Sequence, residues 1–376
     1  MTLIDYLNRV HFAENILEDA VWAELDQRHG SVVCLLCDSE NREAELGERM
    51  RAGVPRHMRI EEFRANGAVP TETDARSVAK FYHENSCTLL VAYGRGATIN
   101  LAKAARLVIS HNAPLGRFSQ AEGGALRISN ALPDLIAVPS LNGFSAGFNG
   151  FLSIQLDDGS MAEISSRHLV PSVTIGDPTV AASANTRDLT RAGINAVTIC
   201  TEAIISPSYN PPANGIALDG LNRGLHFLRS RLPNPSGEER RELLAACMDA
   251  AMVQQTGLGL SHAITTSFCV VTRLRIDKGD LKRLLLPKIL AGIADHTPTA
   301  LVPLANALGV ASPRNVIESF ENAFQVGSMT AGLSELGVTS DQLAETAERA
   351  ARHRALANSP GHISAAEILK ILLAIY

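Results

Sequence analysis

The sequence predicts an α/β domain built on a parallel sheet, followed by an all-helical domain. Three observations carry that expectation. In the first half, short apolar runs alternate with helix-like stretches, the pattern of a parallel sheet with helices on both faces. One of those runs ends in Gly94-Arg95-Gly96 and opens directly into a helical segment. After Pro178 the apolar strand-like runs stop and capping patterns recur. The expected division is an α/β domain at residues 1–178 and a helical domain at 179–376.

Taken in order, Ser31–Cys37 (SVVCLLC) is a short β-rich run that Asp38 closes, and polar helix-like sequence follows through Glu40–Met50. Thr73–Glu84 is an amphipathic helix leading into the strand Cys87–Tyr93. The helix Thr98–Ile109 follows the glycine turn. Leu135–Val138, ended by Pro139, and Val173–Ile175, ended by Asp177-Pro178, are two further buried strands. In the second half Ser236-x-x-Glu239 precedes Leu243–Val253, Thr339-x-x-Gln342 precedes a charged helix, and Ser364-x-x-Glu367 precedes Ile368–Ile375. Each is a capping box, in which two side chains satisfy N–H groups that a helix start leaves without partners.

The chain has 376 residues, enough for two domains, and a formal net charge of −5 with no Lys/Arg run. That balance excludes a dedicated nucleic-acid surface. No basic-then-apolar leader opens the chain and no stretch of about 18 apolar residues occurs, so the expectation is a soluble, cytoplasmic protein with no membrane partner. Six cysteines are scattered through apolar segments. Cys34 and Cys37 form a C-x-x-C, but strand alternation sends them to opposite faces, which argues against a shared zinc or redox role.

The chemistry concentrates at the strand-to-helix turn. Gly94 and Gly96 allow a tight turn and close approach, and the helix start behind them presents N–H groups and a partial positive charge to a phosphate. Arg95 can pair with a pyrophosphate or fill the space a cofactor needs.

This arrangement resembles the iron-containing (group III) alcohol dehydrogenases and their relatives, the maleylacetate reductases, glycerol dehydrogenases and dehydroquinate synthases. The resemblance spans nearly the whole chain. The family's G-G-G-S-x-x-D-x-A-K is similar to Gly94–Lys103, with Arg95, Ala97 and Asn100 as departures. Its P-T-T-A-G-T-G-S-E is similar to Pro139–Gly147, and its D-P to Asp177-Pro178. The resemblance implies a dinucleotide held by Asp38, Gly94, Arg95, Gly96, Lys103, Ser140 and Asn142. A carboxylate at Asp38 accepts from a ribose 2′-OH and repels a 2′-phosphate, so NAD is expected over NADP.

The metal motif is where this sequence departs. The family's D-A-L-x-H-x-x-E places two ligands at i and i+4 on one helix face. Here the segment is Asn195-Ala196-Val197-Thr198-Ile199-Cys200-Thr201-Glu202. Asn195 replaces the aspartate and Ile199 the histidine, and isoleucine ligates nothing. The G-x-N-A run Gly193–Ala196 is similar to that of the maleylacetate reductases. Of the downstream ligands, one histidine is matched by His262; the second histidine of that stretch falls at Thr266 and the last ligand near Lys278.

The expectation is therefore an NAD(P)-dependent oxidoreductase acting on a small carbonyl or alcohol in the inter-domain cleft, without the divalent metal. His262 and Lys278 would serve as catalytic groups, and the basic stretch Arg273, Arg275, Lys278 would suit a carboxylate-bearing substrate. A homodimer is implied by the resemblance. The alternative is a pseudoenzyme, or a non-redox enzyme recruited from the same fold. Lost metal ligands together with an altered glycine turn and cofactor loop would fit that alternative.

Overall fold

The computed structural model describes residues 8–28, 32–38, 44–65, 69–182, 184–230, 233–272, 274, 276–325 and 332–376, with the side chains of Asn142 and Gln255 outside that set. The chain divides between Ala184 and Asn185 into two compact units. The expected boundary at 178 falls in the 3-10 turn Pro178–Ala181 just after the last strand.

The N-terminal unit runs β1 (Arg9–Phe12), α1 (Leu17–Asp26), β2 (Val32–Asp38), α2 (Ala44–Ala52), β3 (Arg59–Ala65), α3 (Glu72–Glu84), β4 (Leu89–Gly94) and α4 (Gly96–Ser110). It continues with β5 (Asp134–Pro139), α5 (Phe144–Phe148), β6 (Phe151–Gln155), β7 (Met161–Ser165) and β8 (Val173–Gly176). Six strands form one parallel sheet in the order β1-β8-β5-β4-β2-β3. β6 and β7 form a separate antiparallel hairpin that the sequence reading did not anticipate.

The central strands are apolar throughout because both of their faces are covered. On one face Leu36, Leu90 and Ala137 pack with Val78 of α3 and Ile99 and Leu101 of α4. On the other, Leu35, Val91 and Val138 pack with Val21 of α1 and Met50 of α2. Cys34 belongs to the first core and Cys37 to the second, as strand alternation requires. Burial raises both thiols above the ordinary cysteine range, so they behave as apolar side chains.

Strand order defines where a ligand meets the sheet. From β2 the chain moves outward to β3, whereas from β4 it moves the other way to β5. β2 and β4 are neighbours, so the crevice beyond their C-terminal ends is the topological switch point, where open α/β sheets bind ligands. Asp38 ends β2, and Gly94-Arg95-Gly96 joins β4 to α4.

The second unit has no strand among its described residues, and its α-helices are α6 (Thr186–Ile205), α7 (Pro211–Ser230), α8 (Gly237–Met252), α9 (Leu260–Thr272), α10 (Lys278–His296), α11 (Val302–Leu308), α12 (Pro313–Phe324), α13 (Ser340–Ala351) and α14 (Ala365–Leu373). The capping boxes expected at Ser236, Thr339 and Ser364 begin α8, α13 and α14. No described helix is long and apolar enough to cross a membrane.

Candidate functional site

In the N-terminal unit the turn after β4 is made by Gly94 at φ 114°, a left-handed conformation that glycine adopts without a Cβ penalty. A second glycine is required by packing. A Cβ on Gly143 would lie 2.1 Å from the Gly94 carbonyl oxygen, so the β5 loop can close on the β4 turn only with glycine there. The Ser140 N–H donates to that same carbonyl at 2.9 Å.

Helix α4 starts at Gly96 with Arg95 as its N-cap residue and no side-chain cap. Its first-turn N–H groups are the ones that a bound anion satisfies. Around this turn three buried polar atoms have no hydrogen-bond partner: Arg95 Nε, Asn100 Oδ1 and Ser140 Oγ. Buried polar groups are normally paired, so unpaired ones at a switch point fit a polar ligand such as a dinucleotide phosphate.

The structure brings two of the expected cofactor residues into direct contact. The Arg95 guanidinium donates to the Asp38 carboxylate across the ends of β4 and β2. Asp38 is therefore not the bare carboxylate that the sequence suggested. Lys103 also differs from expectation. Its ammonium is fully buried and donates to Asn149 O at 2.7 Å, Asn149 Oδ1 at 3.1 Å and Phe151 O at 3.1 Å. Burial pushes it well below the ordinary lysine range. In this conformation it ties α4 to the start of β6 and is not a surface that a cofactor meets. The Asn142 side chain lies outside the described residues.

In the helical unit, α6 presents Asn195, Ile199 and Glu202 at helical spacing. Glu202 is buried, and its carboxylate accepts from the N–H groups of Gly259 at 3.3 Å and Ser261 at 2.7 Å, at the start of α9. In the first turn of α9, the buried His262 sets Nε2 3.4 Å from Thr266 Oγ1, and its ring packs edge-on against His353 at 5.5 Å. Lys278 is exposed at the first turn of α10, after the N-cap Asp277. Arg273 and Arg275 lie outside the described residues, so the expected basic stretch is represented here by Lys278 alone.

The residue that sequence reasoning missed is Lys282, one turn further along α10. It is buried, 3% exposed, and its Nζ donates to Asn195 Oδ1 at 2.8 Å. Burial draws its ammonium down to about 8, with the nearby Glu202 opposing that shift. Burial likewise raises the Glu202 carboxyl, against the pull of Lys282 and the α9 N–H groups.

The α6 and α10 positions of this set do not supply a divalent ion with ligands; the histidine donors are His262 and His353, whose ring nitrogens lie within 4.8 Å of each other. Asn195 offers only a carboxamide oxygen, already accepting from an ammonium, and Ile199 offers nothing. A lysine ammonium has three donors and no acceptor, so Lys278 and Lys282 in that form are not ligands.

Comparison with known proteins agrees with the two-unit fold. The sequence profile described as iron-containing alcohol dehydrogenase matches residues 8–178. The one described as Fe-containing alcohol dehydrogenase family, C-terminal, matches 190–376. The chain is 30% identical over 312 residues to a 4-hydroxybutyrate dehydrogenase of Cupriavidus necator, covering 81% of each chain. Among solved structures it superposes on sulfoacetaldehyde reductase from Bifidobacterium kashiwanohense in complex with NAD+, with TM-score 0.86, 17% identity, and 100% and 98% of the two chains covered. It also superposes on maleylacetate reductase from Agrobacterium tumefaciens, with TM-score 0.79, 20% identity, and 100% and 99% covered. At those identities the superpositions establish the fold alone. The profile matches cover both units, and on that ground the chain belongs to the iron-containing alcohol dehydrogenase family.

Proposed function

We propose that the protein is an NAD-dependent, metal-independent oxidoreductase that interconverts a small alcohol and its aldehyde on a substrate bearing a carboxylate. The observation that carries this reading is the uncapped start of α4 at the switch point, with Arg95, Asn100 and Ser140 each holding a buried atom that lacks a partner. The likeness to a 4-hydroxybutyrate dehydrogenase supports a short hydroxy acid as the substrate.

NAD+, when bound, supplies the hydride acceptor for the carbinol C–H. The remaining work falls to side chains of this chain. In the oxidation direction the imidazole of His262 takes the hydroxyl proton as the C–O bond becomes a carbonyl. In reduction it returns that proton. The exposed ammonium of Lys278 gives the substrate carboxylate a charge-assisted partner. With no divalent ion, the developing alkoxide must be stabilised by protein donors and cations.

A thermal-shift titration tests the cofactor half of the reading. NADH at about 100 times its Kd should stabilise the fold by about 2.7 kcal/mol. Oxidation of 4-hydroxybutyrate, followed as NADH formation, tests the rest. If no nicotinamide cofactor raises the melting temperature, the pseudoenzyme or non-redox alternative replaces this reading.

The Asp38–Arg95 pair leads to a cofactor-selectivity prediction. Wild type should prefer NAD, because Arg95 only partly offsets the Asp38 charge at a 2′-phosphate. Asp38→Ala frees the guanidinium and should bring NADP binding up to or above NAD. Arg95→Ala exposes the carboxylate and should widen the preference for NAD. Dissociation constants measured for both cofactors on all three proteins check this. If the two variants move the ratio the same way, the pair does not set selectivity.

A further inference from the structure

We propose that the Lys282 ammonium is a resident cation that stands in for the family's divalent ion within the helical unit. The inference rests on the metal-independent reading above and names the group that makes independence possible.

Formal charge is the first argument. An aspartate at position 195 plus a divalent ion would carry one net positive charge. Asn195 plus a lysine ammonium carries the same. The change that removes a ligand charge is thus matched by the arrival of a cation with half the charge. Geometry is the second argument. Lys282 Nζ lies 2.8 Å from Asn195 Oδ1, so the cation sits on the very atom that occupies the first ligand position. It joins α6 to α10, next to a second tie in which Arg191 Nε donates to Asp280 Oδ1 at 3.0 Å.

The third argument is hydrogen-bond accounting. A lysine ammonium carries three donors. Asn195 is the only acceptor for Lys282 among the described residues. A buried ammonium with unspent donors can hold an oxyanion, the service that a Lewis-acid metal performs for an alkoxide. Glu202, buried on the same side of α6 and fixed by the start of α9, opposes the effect of burial on the Lys282 ammonium.

The experiment uses the full-length protein. Wild type is dialysed against Zn2+ or Fe2+, and bound metal is measured by elemental analysis alongside the melting temperature. No stoichiometric metal and no shift are expected. The triple variant N195D/I199H/K282A restores a carboxylate and an imidazole at the family's two ligand positions on α6 and removes the cation. It should gain roughly tenfold to hundredfold or more in Zn2+ affinity and a metal-dependent rise in melting temperature. The variant N195D/I199H, which keeps Lys282, should gain far less. Because it retains the native tie, it serves as the folded control should the triple variant be unstable.

One equivalent of metal in wild type overturns the proposal. So does a folded triple variant that binds Zn2+ no more tightly than wild type. If both variants bind Zn2+ equally well, Lys282 does not occupy the metal's place and the proposal also falls. None of these readouts uses turnover, so a failed NADH titration would sink the oxidoreductase reading and leave this result standing or falling by itself.

Discussion

Asp177→Ala should destabilise the protein by about 3–5 kcal/mol, the usual loss when one partner of a buried, hydrogen-bonded ion pair is removed. The Asp177 side chain is 1% exposed and gathers the end of the sheet into one node. It accepts from the N–H groups of Asn15 at 3.0 Å, Leu17 at 3.2 Å and Thr179 at 2.9 Å, and from Thr179 Oγ1 at 2.7 Å. Arg49 Nη2 adds a charged donor at 2.8 Å and also reaches Glu18 Oε2 at 2.8 Å. Alanine would take this acceptor from the three N–H groups and the Thr179 hydroxyl, while Arg49 would keep Glu18. Asp177→Asn should lose less, since one carboxamide oxygen can still accept. Burial by itself would raise the Asp177 carboxyl, but Thr179, Arg49 and Leu17 outweigh it and hold the group below its ordinary value. A lowered carboxyl stabilises the folded state above the unfolded value of about 3.9 and loses that contribution as pH falls through the folded value. Wild type should therefore lose stability below about pH 4 more steeply than Asp177→Asn. Urea unfolding at pH 7 and pH 3 measures both effects, and a loss under about 1 kcal/mol for the alanine variant would mean that the node is not structural.

Much of this fold was readable because the buried strands are long apolar runs. Of the expected runs Ser31–Cys37, Cys87–Tyr93 and Leu135–Val138, residues 32–37, 89–93 and 135–138 fall on central strands covered on both faces, and Ser31 lies outside the described residues. The strands that escaped are of another kind. β3, Arg-Ile-Glu-Glu-Phe-Arg-Ala, is an edge strand whose charges discourage pairing with another chain, so its composition hides it. β1 is the other edge and only four residues long. β6 and β7 lie off the main sheet altogether.

The site was legible one residue at a time but not in its pairings. Asp38 and Arg95 were both singled out, yet their contact depends on β2 and β4 being neighbours, and strand order is not written in local pattern. Lys103 looked like a ligand-facing lysine because its motif position was read without its burial. Lys282 was overlooked because Leu-Lys-Arg-Leu-Leu-Leu-Pro-Lys reads as an ordinary amphipathic helix with solvated charges. A signal was present: Lys278 and Lys282 are four residues apart, so a helix starting at 278 puts both on one face.

His262→Ala should lower kcat by about 100- to 10,000-fold, the range for removing a positioned acid–base group, while leaving NAD(H) affinity and the fold unchanged. The cofactor residues named here are on the N-terminal unit, whereas His262 is on α9, so cofactor binding reports folding independently of the proton-transfer step. Thr266 and His353 both border its ring, so alanine removes packing together with one proton carrier. The pH dependence sharpens the test. If His262 is the base in alcohol oxidation, kcat/KM should rise with pH as the free enzyme's imidazole loses its proton, and that limb should vanish in His262→Ala. His262→Gln keeps hydrogen bonding without titrating, so it should keep the fold and still lack the limb. Lys278→Ala should behave differently. An exposed ammonium that holds a carboxylate at both ground and transition state changes KM more than kcat. A substrate analogue without the carboxylate should then be indifferent to that substitution. If His262→Ala turns over within about tenfold of wild type and keeps the pH limb, the proton passes through another group and the assignment of His262 fails.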